Sequence, residues 1–142
     1  MTAGDIDPAL VALLATPSND PAARRAAVLA LRHGGRLRGV ADKIAAAAVL
    51  VESDVRSEVE AAHALAVAAM ASDARARLVA ATAFDRLRLL AGRPQKFGTQ
   101  MVGDGATRRL WTVDPATTDS ERAKWGVPAL AELQRRCAER GD

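Results

Sequence analysis

The chain has 142 residues, of which 49% are hydrophobic but only 3% aromatic, and its 20 Lys and Arg against 17 Asp and Glu leave a formal charge of +3. That length predicts one domain, residues 1–142, able to bury roughly 70% of the surface its unfolded form exposes. With so few aromatics the core is built from Ala, Leu and Val, which favours closely approaching helices over a sheet sandwich. The arginines are interleaved with Asp and Glu and form no basic block, which argues against nucleic acid as a partner.

Met1-Thr2-Ala3-Gly4-Asp5 lacks a basic stretch followed by an apolar one, and the longest apolar runs, such as Ile44 to Val51, are too short to cross a bilayer. The expectation is a soluble, cytoplasmic protein with no membrane partner. Cys137, the only cysteine, has no partner for a disulfide, and nothing points to an oxidising compartment.

Asp7-Pro8 reads as a cap with proline at the first helical position, and the helix continues from Ala9 to Ala15 before Pro17. Asp20-Pro21 repeats the signal and starts a second helix, ended by Gly34-Gly35. A third helix follows from about Val40 to Val51. The connection Gly34 to Gly39 has glycines that could offer N–H groups to an anion, but it lacks the Lys-Ser/Thr pair of a phosphate loop and no strand precedes it. It reads as a helix connection.

Ser53-Asp54 is the expected cap of a fourth helix, whose Val55, Val59, Ala62, Ala66 and Met70 share one face, with His63 at its edge. Ser72-Asp73 recaps a fifth helix that runs to about Ala91. Val79, Ala80, Ala83, Phe84, Leu87 and Leu90 form one apolar face of it, and Leu78, Ala81 and Leu89 a second. Asp85 falls inside that second stripe, where a buried carboxylate requires partners.

From Gly92 the pattern changes. Residues 92–115 read as a polar loop followed by a small hairpin about Gly103-Asp104-Gly105. Thr118-Asp119-Ser120-Glu121 is a capping box for a short helix ended by Gly126. Pro128 opens a final amphipathic helix with Leu130, Leu133 and Cys137 inward and Arg135, Arg136 and Arg140 outward. The predicted fold is mainly α: a compact bundle of about five helices, plus a small β-hairpin and two C-terminal helices.

His33, His63 and Cys137 supply no metal-ligand spacing, and no nucleophile motif or cofactor motif occurs, so neither a metal nor a cofactor is expected. What remains is a polar cluster: Arg93, Gln95, Lys96, Thr99 and Gln100 after the fifth helix, Asp85 and Arg86 on it, and His63 on the helix before. A His63 and Asp85 pair could orient an imidazole for proton transfer, with the others binding substrate. The plainer reading gives the same side chains to packing and to satisfying the main chain where helix turns into hairpin.

Gly92-Arg93-Pro94-Gln95-Lys96-Phe97-Gly98-Thr99-Gln100, preceded by Asp85-Arg86, resembles a bacterial family of domains of unknown function marked by Pro-Gln, any residue, an aromatic, then Gly-Thr-Gln. The resemblance spans roughly Gly35 to Leu133 and includes Asp119, Arg122 and Gly126-Val127-Pro128. It implies kinship and no particular activity. Phe97 stands where the family commonly has Tyr, so a phenol is not essential here. The expected function is small-molecule binding, extending to acid-base catalysis, in a pocket around residues 93–100. The alternative is a non-catalytic interaction or assembly module, including a homo-oligomer.

Overall fold

The computed structural model describes residues 6–140, without the side chain of Arg140. The readings of Met1 to Asp5 and of the Arg140 side chain lie outside the described residues. The fold is mainly α, with seven α-helices and one two-stranded antiparallel hairpin among the described residues. None of the described helices is long and apolar enough to cross a membrane. The chain resolves into two compact units, divided within one helix between Ala80 and Ala81.

The first unit holds α1 (Pro8–Ala15), α2 (Pro21–His33), α3 (Val40–Leu50), α4 (Arg56–Met70) and the start of α5 (Ala76–Leu90). Its interior is built from small side chains. Ala46, Ala47, Ala62, Ala66 and Ala69 are fully buried beside Leu10, Val28, Leu50 and Val59, so α3 and α4 approach closely with little side-chain ordering. Asp7 and Asp20 cap α1 and α2 as the sequence suggests, accepting from the N–H groups of Ala9 at 2.8 Å and Ala23 at 3.0 Å.

Asp42 ties the starts of α1 and α3 together. Its Oδ1 accepts from the Asp7 N–H at 2.6 Å and its Oδ2 from the Gly39 N–H at 2.9 Å, while Arg36 grips Asp7 through two bonds of 3.0 Å. The Gly34 to Gly39 connection is thus a braced helix junction.

One helix start differs from the expectation. The cap position of α4 is Val55, which offers no side-chain oxygen. Ser53 instead accepts from the Val55 N–H at 2.9 Å and donates to Glu58 Oε1 at 2.7 Å, and Glu58 also takes Arg25 at 2.7 Å. The Ser53 hydroxyl that suggests a cap is spent on this tie between α2 and α4.

The second unit holds the rest of α5, the hairpin, α6 (Asp119–Lys124) and α7 (Leu130–Arg140). α5 closes in a Schellman arrangement. The Arg93 N–H donates to the Arg88 carbonyl and the Gly92 N–H to the Leu89 carbonyl, both at 2.9 Å, with Gly92 at φ +70°. β1 (Met101–Val102) pairs with β2 (Arg109–Leu110) in the register Met101 to Leu110 and Val102 to Arg109, joined through a 3-10 turn at Gly105–Thr107.

α6 is capped by Thr118 as the capping box predicts, its hydroxyl accepting from the Glu121 N–H at 3.1 Å. α7 begins at Leu130, two residues later than Pro128 suggests, and the Leu130 N–H, one of the unpaired groups of its first turn, is held by Asp119 Oδ1 at 3.0 Å. Phe97 centres the core of this unit with Ala81, Val127 and Leu133, and Phe84, Leu110 and Trp125 pack against it. Its ring lies 6.2 Å edge-on from Phe84 and 5.7 Å from Trp125.

Candidate functional site

The segment Arg93 to Gln100 wraps around one carboxylate. Asp85, fully buried on α5, accepts from four consecutive main-chain N–H groups: Lys96 at 2.8 Å and Phe97 at 3.0 Å on Oδ1, Gly98 at 3.1 Å and Thr99 at 3.0 Å on Oδ2. The Thr99 hydroxyl adds a fifth bond to Oδ2 at 2.7 Å. A carboxylate offers about four lone-pair sites. Asp85 is saturated, and taking a substrate proton would require breaking the loop that surrounds it. This is the buried carboxylate with partners that the second stripe of α5 implies; its partners are the main chain.

Gln95 has no exposed surface and performs a matching task. Its Nε2 donates to the carbonyls of Gln100 at 2.9 Å and Trp111 at 2.7 Å, and its Oε1 accepts from the Gln100 N–H at 2.8 Å. Its own main chain pairs with the far side of the hairpin, N–H to the Thr112 carbonyl at 2.9 Å and carbonyl from the Asp114 N–H at 2.8 Å. The expected substrate-facing amide of Gln95 therefore faces main chain on every side.

The other predicted residues divide. Arg86 reaches Gln100 Oε1 at 3.3 Å, and Gln100 Nε2 donates to the Thr99 hydroxyl at 3.2 Å, which joins Asp85, Arg86, Gln95, Thr99 and Gln100 in one network. Lys96 turns away to Glu121 at 2.9 Å, with its ammonium 5.6 Å from the Phe97 ring centre. Arg93 is exposed, and its carbonyl accepts the Trp111 indole N–H at 2.7 Å. His63 is half-buried on α4 of the first unit. Arg88 lies over the Phe84 ring at 5.1 Å.

Gly98 is favoured by its conformation, and a side chain there would also displace Leu133. It sits at φ +111°, and a Cβ there would come within 2.9 Å of Leu133 Cδ1. The Gly-Thr step of the motif is thus the point where the loop presses on α7.

In the sequence, Arg122 stands out only through the suggested resemblance. It is 2% exposed, donates from Nε to the Phe97 carbonyl at 2.6 Å, and from Nη1 to the Thr117 carbonyl at 3.2 Å and Asp119 Oδ1 at 3.0 Å. The hydrogen bond from Leu130, helped by Arg122 and opposed by partial burial, holds the Asp119 carboxyl below its ordinary value.

No family model, curated protein or solved structure matches this chain. The residues must therefore be read on their own geometry. Among the described residues no group of three His, Cys, Asp or Glu is placed to hold a metal ion.

A hollow of about 330 Å³ opens beside the motif, lined by Leu110 to Pro115, Thr117, Arg122, Leu130 and Gln134. That volume lies in the range of small-molecule sites. None of the residues from 93 to 100 lines it; they stand behind its wall. Gln95 fixes the main chain of Trp111, Thr112 and Asp114, and the Phe97 carbonyl fixes Arg122. Sequence spacing identifies the polar segment and misses this hollow, because most of its lining, Trp111 to Pro115 and Thr117, comes from the irregular segment after β2, which meets Arg122 of α6 and Leu130 and Gln134 of α7 only in the fold.

Proposed function

We propose that this protein binds a small molecule through its second unit, in the hollow between residues 110–117 and α7, with the Pro94 to Gln100 motif as the frame that holds the walls. The observation that carries this reading is the set of hydrogen bonds by which Gln95 donates to the Trp111 and Thr112 carbonyls and accepts from the Asp114 N–H, and the Phe97 carbonyl accepts from Arg122. A rigid frame behind a wall of mixed polarity lowers the ordering cost of binding. The kinship suggested by the Pro94 to Gln100 motif fits the same reading: what such relatives would share is the frame, and the lining would vary. A cytoplasmic location fits the single Cys137.

The reading is one of binding. An acid-base role for Asp85 is not part of it, since its lone pairs are occupied. Exposed Val11, Val55 and Val67 in the first unit favour a second reading, an assembly module, which a concentration-dependent mass in light scattering would support.

The test is a fragment screen followed by amide chemical shifts. Gln134, on the outer face of α7, makes no hydrogen bond that holds the fold, so Gln134→Trp fills the hollow without touching the frame. Fragments should shift the Thr112, Asp114 and Gln134 amides, and Gln134→Trp should abolish those shifts while the melting temperature stays within a few degrees. Fragments that bind equally well to Gln134→Trp would overturn the assignment.

A further inference from the structure

The hollow does not stop at Gln134. A second one of about 340 Å³ is lined by Arg108, Arg109, Leu110, Gln134, Cys137 and Ala138, so Leu110 and Gln134 belong to the walls of both. Together the two follow β2 and α7. Their polar equipment is different at the two ends.

At the far end stands Arg108. Its Nε is buried and has no hydrogen-bond partner, and no acidic side chain or carbonyl engages its guanidinium among the described residues. A buried guanidinium N–H without an acceptor loses its hydration and gains nothing in return. Arg109 lies beside it in the lining, which contains no acidic residue. This end favours an anion.

At the near end Arg122 uses three of its five N–H groups on Phe97, Thr117 and Asp119, and the two on Nη2 have no acceptor among the described residues. Its charge is already balanced by Asp119. The lining also contains Asp114, whose Oδ1 is held by the Ala116 N–H at 2.9 Å. An anion here would face that carboxylate, whereas a neutral group that both accepts and donates meets Arg122 and Asp114 together.

We infer that the groove along β2 and α7 takes an elongated small molecule with an oxyanion, a carboxylate or phosphoryl group, at Arg108 and a neutral amide or hydroxyl group at Arg122 and Asp114. This rests on the small-molecule reading of the unit and assigns its polarity. Arg108 is the residue that distinguishes an acid from its neutral analogue.

The experiment compares three probes of one length, succinamate, succinate and succinamide, followed by the shifts of the Arg108 Nε–H, the Gln134 amide and the Trp111 indole N–H. Succinamate should bind most tightly and move all three signals, and succinamide should move Trp111 and Gln134 only. Arg108→Gln should weaken succinamate by about tenfold or more, the loss of a charge-assisted hydrogen bond, and leave succinamide within twofold. Arg108→Lys, which keeps the charge, should recover part of the affinity. Inorganic phosphate moving the Arg108 signal alone would support the anion end of the groove, and binding tighter than succinate there would identify phosphoryl as the better anion. Equal affinity for succinamate and succinamide, with no effect of Arg108→Gln, would overturn the polarity and leave the small-molecule reading standing. Failure of every probe and of a neutral fragment set to move Trp111 or Gln134 would remove both.

Discussion

The assignment of Asp85 to the main chain can be tested by replacing one atom. Asp85→Asn keeps the size of the side chain and turns one acceptor oxygen into a donor NH₂. Oδ1 serves the N–H groups of Lys96 and Phe97, and Oδ2 those of Gly98 and Thr99 together with the Thr99 hydroxyl. Whichever way the amide settles, at least two main-chain N–H groups lose their acceptor and face another donor. Each buried N–H left unsatisfied costs about 1–3 kcal/mol, so the expected loss is about 4 kcal/mol. Against a total stability of about 5–15 kcal/mol for a domain, that is a large fraction.

Both tryptophans, Trp111 and Trp125, lie in the second unit, so urea unfolding followed by tryptophan fluorescence reports the loss of structure around them. The midpoint should fall steeply in Asp85→Asn, and the amides of residues 96–99 should exchange far faster. A loss under about 1 kcal/mol with exchange of those amides unchanged would refute the account, since the bonds to Asp85 would then not be what holds the loop.

Two further outcomes follow from the same network. Gln95→Ala removes three hydrogen bonds and leaves the Gln100 N–H and the Trp111 carbonyl without partners, so the melting temperature should drop by about 10 °C, for a loss of about 3 kcal/mol; an unchanged melting curve would return Gln95 to the role of a ligand contact. Asp119 is held below the ordinary aspartate value of 3.8, first by the Leu130 N–H and then by Arg122. A folded value below the unfolded one gives stability that is present above about pH 3.8 and lost as pH falls through the folded value. The difference in urea midpoint between wild type and Asp119→Asn should therefore be full at pH 6 and shrink below pH 3.8, and a difference independent of pH would show that Asp119 acts only through its neutral contacts.

Much of the architecture was legible because its signals are local. Asp7-Pro8, Asp20-Pro21, Gly34-Gly35, Gly92 and Thr118 each mark a helix end through a bond within four residues, and the order of five helices, hairpin and two helices follows from them. The division at Ala80 was not legible, since α5 runs across it with no break in sequence. The burial of Asp85 could be read from its place in the Leu78 and Leu89 stripe, but not the identity of its partners, which lie 11 to 14 residues away. The inward turn of Arg122 had no local signal either. Its main acceptor, the Phe97 carbonyl, is 25 residues distant.

The directional side chains of residues 85–100 raise a general point about reading polar motifs in a chain with only two Phe and two Trp. A loop whose one large apolar anchor is Phe97 gains limited stability from burial at about 25 cal/mol per Å², so hydrogen bonds must fix the rest of it. Glutamine, threonine and aspartate are the residues that satisfy main-chain groups without adding charge pairs. Their concentration therefore marks the place where the fold most needs bonds, and saturation is the sign of that use, as in Asp85 and Gln95. A ligand site is marked by the opposite condition, polar groups placed by the fold and left over. By that criterion the molecule points away from its own motif, to the unspent N–H groups of Arg108 and of Arg122 Nη2 along the groove that the motif holds in shape.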